Sequence, residues 1–311
     1  MEFFHKVPQI NFLAARKLAM GMSVAVLVIA VVSLSIHGLN FGVDFTGGVT
    51  VQVAYPQPAE LRQIRETLGA AGFKDAIVQN YGTPEEVLIR LQPKQGVSDK
   101  DTGSTVLTAL QKASPEVKLE QVNFVGPEVG KDLATKGALA FLLTLTGILL
   151  YIWFRFEWRL ALGGVAATLH DVVFVVGFFS IFHLEFDLNV LAAVLAVMGY
   201  SVNDTVVVFD RIREDFRITR KGSPFEIINL AVNQTLSRTI ITSGVTLLVV
   251  IALLILGGPV LHGFSMALFV GIIVGTYSSI YIASATALML GVSKKDLMVV
   301  VKEDRKVDDM P

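Results

Sequence analysis

Long apolar runs separated by shorter polar segments dominate this chain. A helix that crosses a membrane needs about 20 mostly apolar residues, and six stretches are of that order. They lie at residues 18–36, 137–154, 160–182, 188–209, 239–256 and 264–290. None of the ten prolines falls inside one of them, which favours unbroken helices. The pattern therefore predicts six transmembrane helices.

The composition supports a membrane protein and excludes several other classes. Hydrophobic residues make up 53% and charged residues 17%, against about 45–50% and about 25% in soluble chains. Intrinsic disorder needs the opposite balance. The absence of cysteine excludes disulfide scaffolds, thiolate zinc sites and cysteine nucleophiles. The net charge of -1 says nothing about a nucleic-acid partner. We expect no nucleic-acid partner, no cofactor and no metal.

The distribution of basic residues predicts the orientation of the helices. Sixteen of the 26 Lys and Arg residues lie in the N-terminal segment, in the second-to-third and fourth-to-fifth connections, and after the last span. The connections at 183–187 and 257–263 have none. Since cytoplasmic loops are rich in Lys and Arg, both termini should face the cytoplasm. No small-residue cleavage site follows the first apolar run, so we expect it to remain as an anchor.

A 94-residue insert at 38–131 separates the first two spans and should form a domain outside the membrane. Residue alternation predicts strands and helical spacing predicts helices. The strands are expected at 43–55, 76–81, 86–92 and 117–125, and the helices at 58–70 and 98–113, the second capped by Ser98. The order β-α-β-β-α-β indicates a ferredoxin-like α+β domain. The predicted division of the chain is 1–37, 38–131, 132–292 and a cytoplasmic tail at 293–311.

Glycine-bearing segments connect this domain to the spans on both sides. Glycine permits unusual backbone angles and close packing. We therefore expect a junction or hinge that lets the domain tilt, formed by Gly42, Asp44, Gly47, Gly48, Gly126 and Gly130.

Polar residues inside the spans are candidates for function, because a charge at mid-membrane costs about 2.5–3.5 kcal/mol on insertion scales. His170 and Asp171 lie near the middle of the third span. Adjacent helical residues point about 100° apart, so the two should not face one seam squarely. Either they hold helices together or they take part in proton passage, for which His170 is suited.

In the fourth span, Asp204 follows Asn203 about 8 Å inside the cytoplasmic end, counting 1.5 Å per residue. Burial disfavours a charged carboxylate, so Asp204 is a candidate for proton exchange. Asn203 is a further candidate for a relay.

Arg238 lies at the cytoplasmic entry of the fifth span. Ser223 and Glu226 form a capping-box pattern around Pro224, so a continuous helix should start there and include Arg238. Arg238, Thr242 and Thr246 share one helical face, which should point to protein or water. Arg238 and Asp204 have similar depths, and we expect them to form an ion pair.

The sixth span contains Gly271 and Gly275, whose spacing favours close helix contact. The polar run at 276–279 indicates that the same face points to the bundle interior.

Four segments together resemble the signature segments of the SecF family. They are the segments at 42–48 (GVDFTGG), 125–132 (VGPEVGKD), 199–214 (GYSVNDTVVVFDRIRE) and 233–244 (NQTLSRTIITSG). SecF is the smaller subunit of the bacterial SecDF translocation factor in the RND superfamily. Its plan of six helices (half of an RND-type bundle) with a large first outside domain is similar to the plan predicted for this chain.

The resemblance implies a function in protein export. It implies pairing with SecD, action with the SecYEG translocon and YajC on an unfolded polypeptide, and a proton-driven mechanism in the lipid of the inner membrane. The outside domain would be periplasmic. By resemblance Asp204 and Arg238 are essential, and a further functional carboxylate lies in SecD. No enzymatic activity is implied.

Three alternatives remain open from the residues alone. An RND-type drug or lipid exporter half would dimerise with itself. An intramembrane aspartyl protease fits poorly, because its aspartate motifs do not match the surroundings of Asp171 and Asp204. A structural subunit would tolerate loss of the Asp204 charge. Either protons or sodium ions could serve a carboxylate of this kind.

Overall fold

A computed structural model describes residues 8–74, 76–91, 99–219 and 222–297. Within these ranges six helices are long and apolar enough to cross a membrane, which agrees with the predicted number. The first, α1 (Arg16–Ile36), follows a 3₁₀ turn at Phe12–Ala15. The expected Ser98 cap and most of the tail at 293–311 lie outside the described residues.

A compact domain, here called the head, follows α1 and comprises residues 48–125. It is preceded by β1 (Asn40–Phe41) and a short helix α2 (Val43–Thr46). The head itself consists of β2 (Gly48–Ala54), α3 (Leu61–Ala70), β3 (Ile77–Tyr81), β4 (Thr83–Leu91), α4 (Asp99–Ala113) and β5 (Lys118–Val125). Its four strands form an antiparallel sheet in the order β3-β4-β2-β5. The predicted ferredoxin-like fold is therefore present.

The first predicted strand, at 43–55, was five residues too long at its start. Residues 43–46 form the helical turn α2 instead, which ends at Gly47 with φ +71. A residue with a positive φ of this kind ends a helix, and glycine adopts this backbone angle at little cost. The chain therefore enters the sheet only at Gly48.

Side-chain alternation gives the head sheet two different faces. Val49, Val51 and Val53 are buried against α3 and α4 in the head core. On the opposite face, Thr50 and Arg90 are paired in register across β2 and β4, and both are buried. This second face points to the membrane helices.

The remaining elements form a helical bundle. They are α5 (Pro127–Arg155), α6 (Trp158–Ile181), β6 (Glu185–Phe186), α7 (Leu188–Ile218), α8 (Pro224–Leu256), α9 (Gly258–Ser278), a π-helical turn (Ser279–Ala283), α10 (Ser284–Met289) and α11 (Lys294–Leu297). More than half of the apolar stretch is buried in α6, in α7 and in the last span, which runs from α9 through α10 (Val260–Met289). By contrast, α1, α5 and α8 mostly face outward. The first group forms the centre of the bundle.

The start of α8 agrees with the sequence prediction, whereas the start of α5 does not. The capping box of Ser223 and Glu226 is present, and α8 runs unbroken from Pro224 through Arg238, as predicted. By contrast α5 starts at Pro127, inside the segment predicted as outside domain at 38–131. Proline is favourable in the first helical turn, so the helix begins at the head and continues into the bundle.

The described basic residues that follow α5 and those at the end of α7 lie at the end of the bundle opposite the head. There Arg155 contacts both carboxylate oxygens of Asp210 at 2.8 Å, and Arg213 contacts Glu157 at 3.4 Å. The described part of the N-terminal segment docks at the same end, where Asn233 on α8 binds the backbone of Ile10. The two ends of the bundle therefore have different charge character.

Candidate functional site

Asp204 is buried on the central helix α7. It is the 17th residue of that helix, about 24 Å from the head-side end at about 1.5 Å per residue. Only 3% of the residue is exposed, and its Oδ2 has no hydrogen-bond partner among the described residues. The Arg238 guanidinium and the Ser243 hydroxyl are the neighbours that act on its charge. A buried carboxylate with an unsatisfied oxygen is costly in its charged form.

Arg238 lies on α8 about 27 Å from the head-side end, by about 1.5 Å per residue, which is close to the depth of Asp204. The predicted ion pair between Arg238 and Asp204 is nevertheless not formed: among the described residues neither makes a direct ion pair with the other. The Arg238 side chain is exposed at the surface of this chain. Attraction between the two charges acts across a gap.

The rotation of α8 explains why the pair is open. Thr235, Thr239 and Ser243 are buried polar residues of this helix, and they follow one another at four-residue spacing. Arg238 precedes Thr239 by one position and so points about 100° away from that buried face. The stripe of Arg238, Thr242 and Thr246 is the more open one, and the hydroxyls of the two threonines bond to carbonyls of their own helix.

His170 and Asp171 are both buried on α6. Their side chains share a hydrogen bond of 2.9 Å between Nδ1 and Oδ1. Asp171 Oδ2 also accepts hydrogen bonds from Ser278 on α9 at 2.7 Å and from Ser201 on α7. Both residues can be buried because α6 is central and has neighbouring helices on more than one side.

Hydroxyl groups from α7, α8 and α9 bond to one another near Asp204. Ser243 on α8 is within 2.7 Å of Thr276 on α9 and accepts a hydrogen bond from Tyr200 at 3.2 Å. Thr276 is two residues from Ser278, which contacts Asp171. The polar run at 276–279 had indicated such an interior face, whereas Ser243 carried no separate signal in the sequence.

Asn203 is not part of this interior. It is exposed on the outer side of α7, together with Ala192, Ala196 and Gly199. The structure therefore separates Asn203 from the buried polar groups with which a relay was predicted. No group of three or more His, Asp or Glu residues that could hold a metal ion occurs in the part of the chain described.

The predicted hinge residues form a tightly packed neck, here defined as residues 37–47 and 126–130. A β-carbon at Gly47 would lie 2.8 Å from the Pro127 Cα, and one at Gly130 would lie 2.8 Å from the Gly47 nitrogen. A β-carbon at Gly42 would lie 3.0 Å from Glu185 Oε1. These glycines permit close contact between the two connections, whatever motion they also allow.

The other predicted hinge residues have different roles. Asp44 accepts a hydrogen bond from the Leu188 N–H at 3.1 Å, at the start of α7. Gly48 has φ +133, a backbone angle that favours glycine. Gly126 has only the Phe124 ring nearby, at 4.0 Å, so no close approach requires glycine there.

Comparisons with known proteins agree with this architecture. A family model described as "Protein export membrane protein SecD/SecF, C-terminal" matches residues 105–293, and one described as "SecD/SecF GG Motif" matches residues 32–59. The protein translocase subunit SecF of Vibrio alginolyticus is 50% identical over 305 residues, which is 97% of each chain. That of Pseudomonas aeruginosa is 47% identical and covers 98% of this chain and 99% of the relative.

Solved structures point the same way. The crystal structure of SecDF from Thermus thermophilus, described as a translocon-associated membrane protein, superposes with a TM-score of 0.83 at 37% identity. A SecDF structure in a super-membrane-facing form gives 0.69. This chain spans 39% of the first of these longer SecDF chains, which covers 91% of this one. The identity across the full length, the six helices and the ferredoxin-like head show that this multi-pass membrane protein belongs to the SecF family of protein translocase subunits.

Proposed function

We propose that the chain acts with SecD as an accessory subunit of the Sec protein-export machinery, and that it uses the proton gradient to promote late translocation and release of polypeptides. Its relatives named as translocase subunits support the export role. The finer steps rest on the site described above. The chain is proposed to catalyse no covalent reaction of its own.

The proposed setting is the bacterial inner membrane. The basic end of the bundle would be cytoplasmic, with both termini, since positive residues favour that side. The head would be periplasmic, where the unfolded polypeptide emerges from SecYEG. YajC is a further proposed partner, and lipid would cover the outward faces of α1, α5 and α8.

Asp204 is the observation that carries the proposal. Its buried carboxylate has an unpaired oxygen, so binding of a proton removes a costly charge and its attraction to Arg238. Loss of that attraction lets α7 and α8 adopt a different arrangement. A potential of 100 mV supplies about 2.3 kcal/mol per charge moved, which is enough to shift a two-state equilibrium by more than tenfold.

The open face beside this site supports SecD as the proposed partner. Asn203 on α7 and Arg238 on α8 are both exposed in this chain, although both lie within helices apolar enough to span the membrane. Polar groups at such depths normally face protein or water. SecD packed on this face would cover them and would bring a charged partner within reach of Arg238.

Export into inverted membrane vesicles, with and without a proton gradient, tests the proposal. We expect Asp204→Asn and Arg238→Met to lose the gradient-dependent part of export while their membrane levels and SecD pairing are normal. Asp210→Asn is a matched control, because it makes the same chemical change on the same helix at an exposed ion pair. Normal gradient-dependent export by Asp204→Asn would refute the proposed mechanism, and purification as a homodimer without SecD would favour the exporter alternative.

A further inference from the structure

The connection between α6 and α7, residues 182–187, contacts both the neck and the head. Here it is called the α6–α7 link. Its strand β6 pairs with β1 of the neck in parallel, with Asn40 opposite Glu185 and Phe41 opposite Phe186. The Asn40 amide also donates to the His183 carbonyl at 3.0 Å. The link is therefore joined to the neck by backbone and side-chain hydrogen bonds.

Arg90 joins the head to both of these strands. It lies on the sheet face that points to the bundle, and only 5% of it is exposed. One guanidinium nitrogen donates to the Phe41 carbonyl at 2.9 Å and the other to Asn40 Oδ1 at 2.8 Å. Its ion pair with Glu185 measures 3.6 Å. A rigid planar fork holds several acceptors in a fixed geometry, so one side chain sets the position of the head relative to the link.

The contact made by Arg90 is bordered by open space. A cavity of about 490 Å³ lies between the β3–β4 hairpin and the link, and it is lined by Tyr81, Glu185 and His262 among others. A smaller one of about 140 Å³ lies below the sheet beside Thr50, Asp44 and Glu185. On this side the head therefore rests on the link through a narrow contact with open space beside it.

The link is continuous with the helices that carry the intramembrane carboxylates. α6, with His170 and Asp171, ends immediately before it, and α7, with Asp204, begins immediately after it. Asp187 caps α7 by accepting from the Val190 N–H at 2.7 Å. Asp44 of the neck binds the first N–H of the same helix. A displacement of α7 along or about its axis must therefore move both the link and the neck.

From this arrangement we propose that Arg90 is a positioning residue that transmits shifts of α6 and α7 to the head. The proposal rests on the proposed function, because it assumes that protonation of Asp204 moves α7. Arg90 itself makes no hydrogen bond or ion pair with Asp204; its described partners are in the neck, the link and the head. A merely structural role for Arg90 predicts loss of stability when it is replaced, whereas a transmitting role predicts loss of coupling at normal stability.

Spin-label distances in the complex with SecD, reconstituted in proteoliposomes, distinguish the two roles. Because the chain has no cysteine, labels can be placed at Thr108→Cys on the head and Leu256→Cys at the head-side end of α8, both exposed positions. In a background with Arg90 intact, we expect Asp204→Asn to shift this distance. In an Arg90→Met background the shift should vanish, and gradient-dependent export should fall to the level without a gradient.

Three further variants complete the test. Arg90→Lys keeps the charge without the planar fork, so we expect partial coupling. Arg62→Met is the matched control, since Arg62 is an exposed head arginine in an ion pair with Glu66. Glu185→Gln loses the ion pair but leaves the hydrogen bonds from Arg90 to Phe41 and Asn40. If Arg90→Met fails to fold, Glu185→Gln takes its place in the test, and it should reduce the distance shift caused by Asp204→Asn.

The outcomes separate this inference from the proposed function. If Asp204→Asn alone changes neither export nor the label distance, the proposed function fails. If Asp204→Asn acts as expected and the same distance shift persists in the Arg90→Met background, the transmitting role of Arg90 is wrong and the proposed function stands. If Arg90→Met does not fold, persistence of the shift in the Glu185→Gln background leads to the same conclusion.

Discussion

The Ser278 hydroxyl donates a hydrogen bond of 2.7 Å to Asp171 Oδ2 and thereby joins α9 to α6 in the centre of the bundle. Ser278 is the last residue of α9, and the π-helical turn starts at the next residue. Such turns occur often at functional sites and alter helix register locally. The carboxylate of Asp171 thus organises three helices, because Ser201 of α7 binds the same oxygen.

Replacement of Asp171 should destabilise the bundle more than replacement of any one of its donors. Asp171→Asn keeps the shape but places an N–H₂ group where several donors converge, and each buried unsatisfied group costs about 1–3 kcal/mol. Ser278→Ala loses one hydrogen bond, worth about 0.5–1.5 kcal/mol. Thermal unfolding in detergent should rank the midpoints as Asp171→Asn below Ser278→Ala. Asp210→Asn should be close to wild type, and a reversed order would contradict an organising role for Asp171.

Gly130 should be intolerant of any side chain. A β-carbon there would lie 2.8 Å from the Gly47 nitrogen, a backbone atom that cannot turn away. Gly130→Ala should therefore separate the two connections of the neck and lower the unfolding midpoint, although alanine favours helix by about 1 kcal/mol over glycine. Gly147→Ala, in the same helix with no atom within 4 Å, is the control and should not destabilise. Equal midpoints for both variants would show that the neck is loosely packed.

Close contact between α7 and α9 depends on Gly271. A β-carbon at this position would overlap the Val197 side chain, so Gly271→Ala should push the two central helices apart. Overpacking of this kind typically costs about 1–3 kcal/mol. A second change, Val197→Ala, should restore part of the midpoint if the clash is the cause. Full destabilisation in the double variant would mean that Gly271 acts through another contact.

Hydropathy sufficed for the number and order of the helices, because each span must be mostly apolar along its length. It did not fix helix rotation. Arg238 was expected to meet Asp204 because the two have similar depths, yet the buried face of α8 is set by Thr239 and Ser243. Depth follows from residue spacing, whereas rotation follows from packing among several helices. For the same reason Arg90, which is one of ten basic residues in the 38–136 segment, could not be singled out before the fold was known.

Docking of the head on the α6–α7 link should tighten as the pH on the head side falls. Burial raises the pKa of Glu185 above its ordinary 4.5, although Arg90 opposes this and Gln79 does so weakly. Burial also raises the pKa of Asp187, and Asp44 adds to both effects. A carboxyl group whose pKa is raised in the docked state stabilises docking fully at pH values below its ordinary pKa. This stabilisation is lost as the pH rises through the pKa of the docked state.

The distribution of distances between labels at Thr108→Cys and Leu256→Cys, recorded from pH 4.5 upward, should broaden with rising pH. Glu185→Gln should flatten the response, while His183→Gln and His262→Gln, which alter the two histidines of the adjoining cavity, should leave it in place. Burial raises the pKa of Tyr81 in that cavity to about 12, so Tyr81 does not titrate in this range. A response that is unchanged in Glu185→Gln, or that runs in the opposite direction, would contradict the prediction.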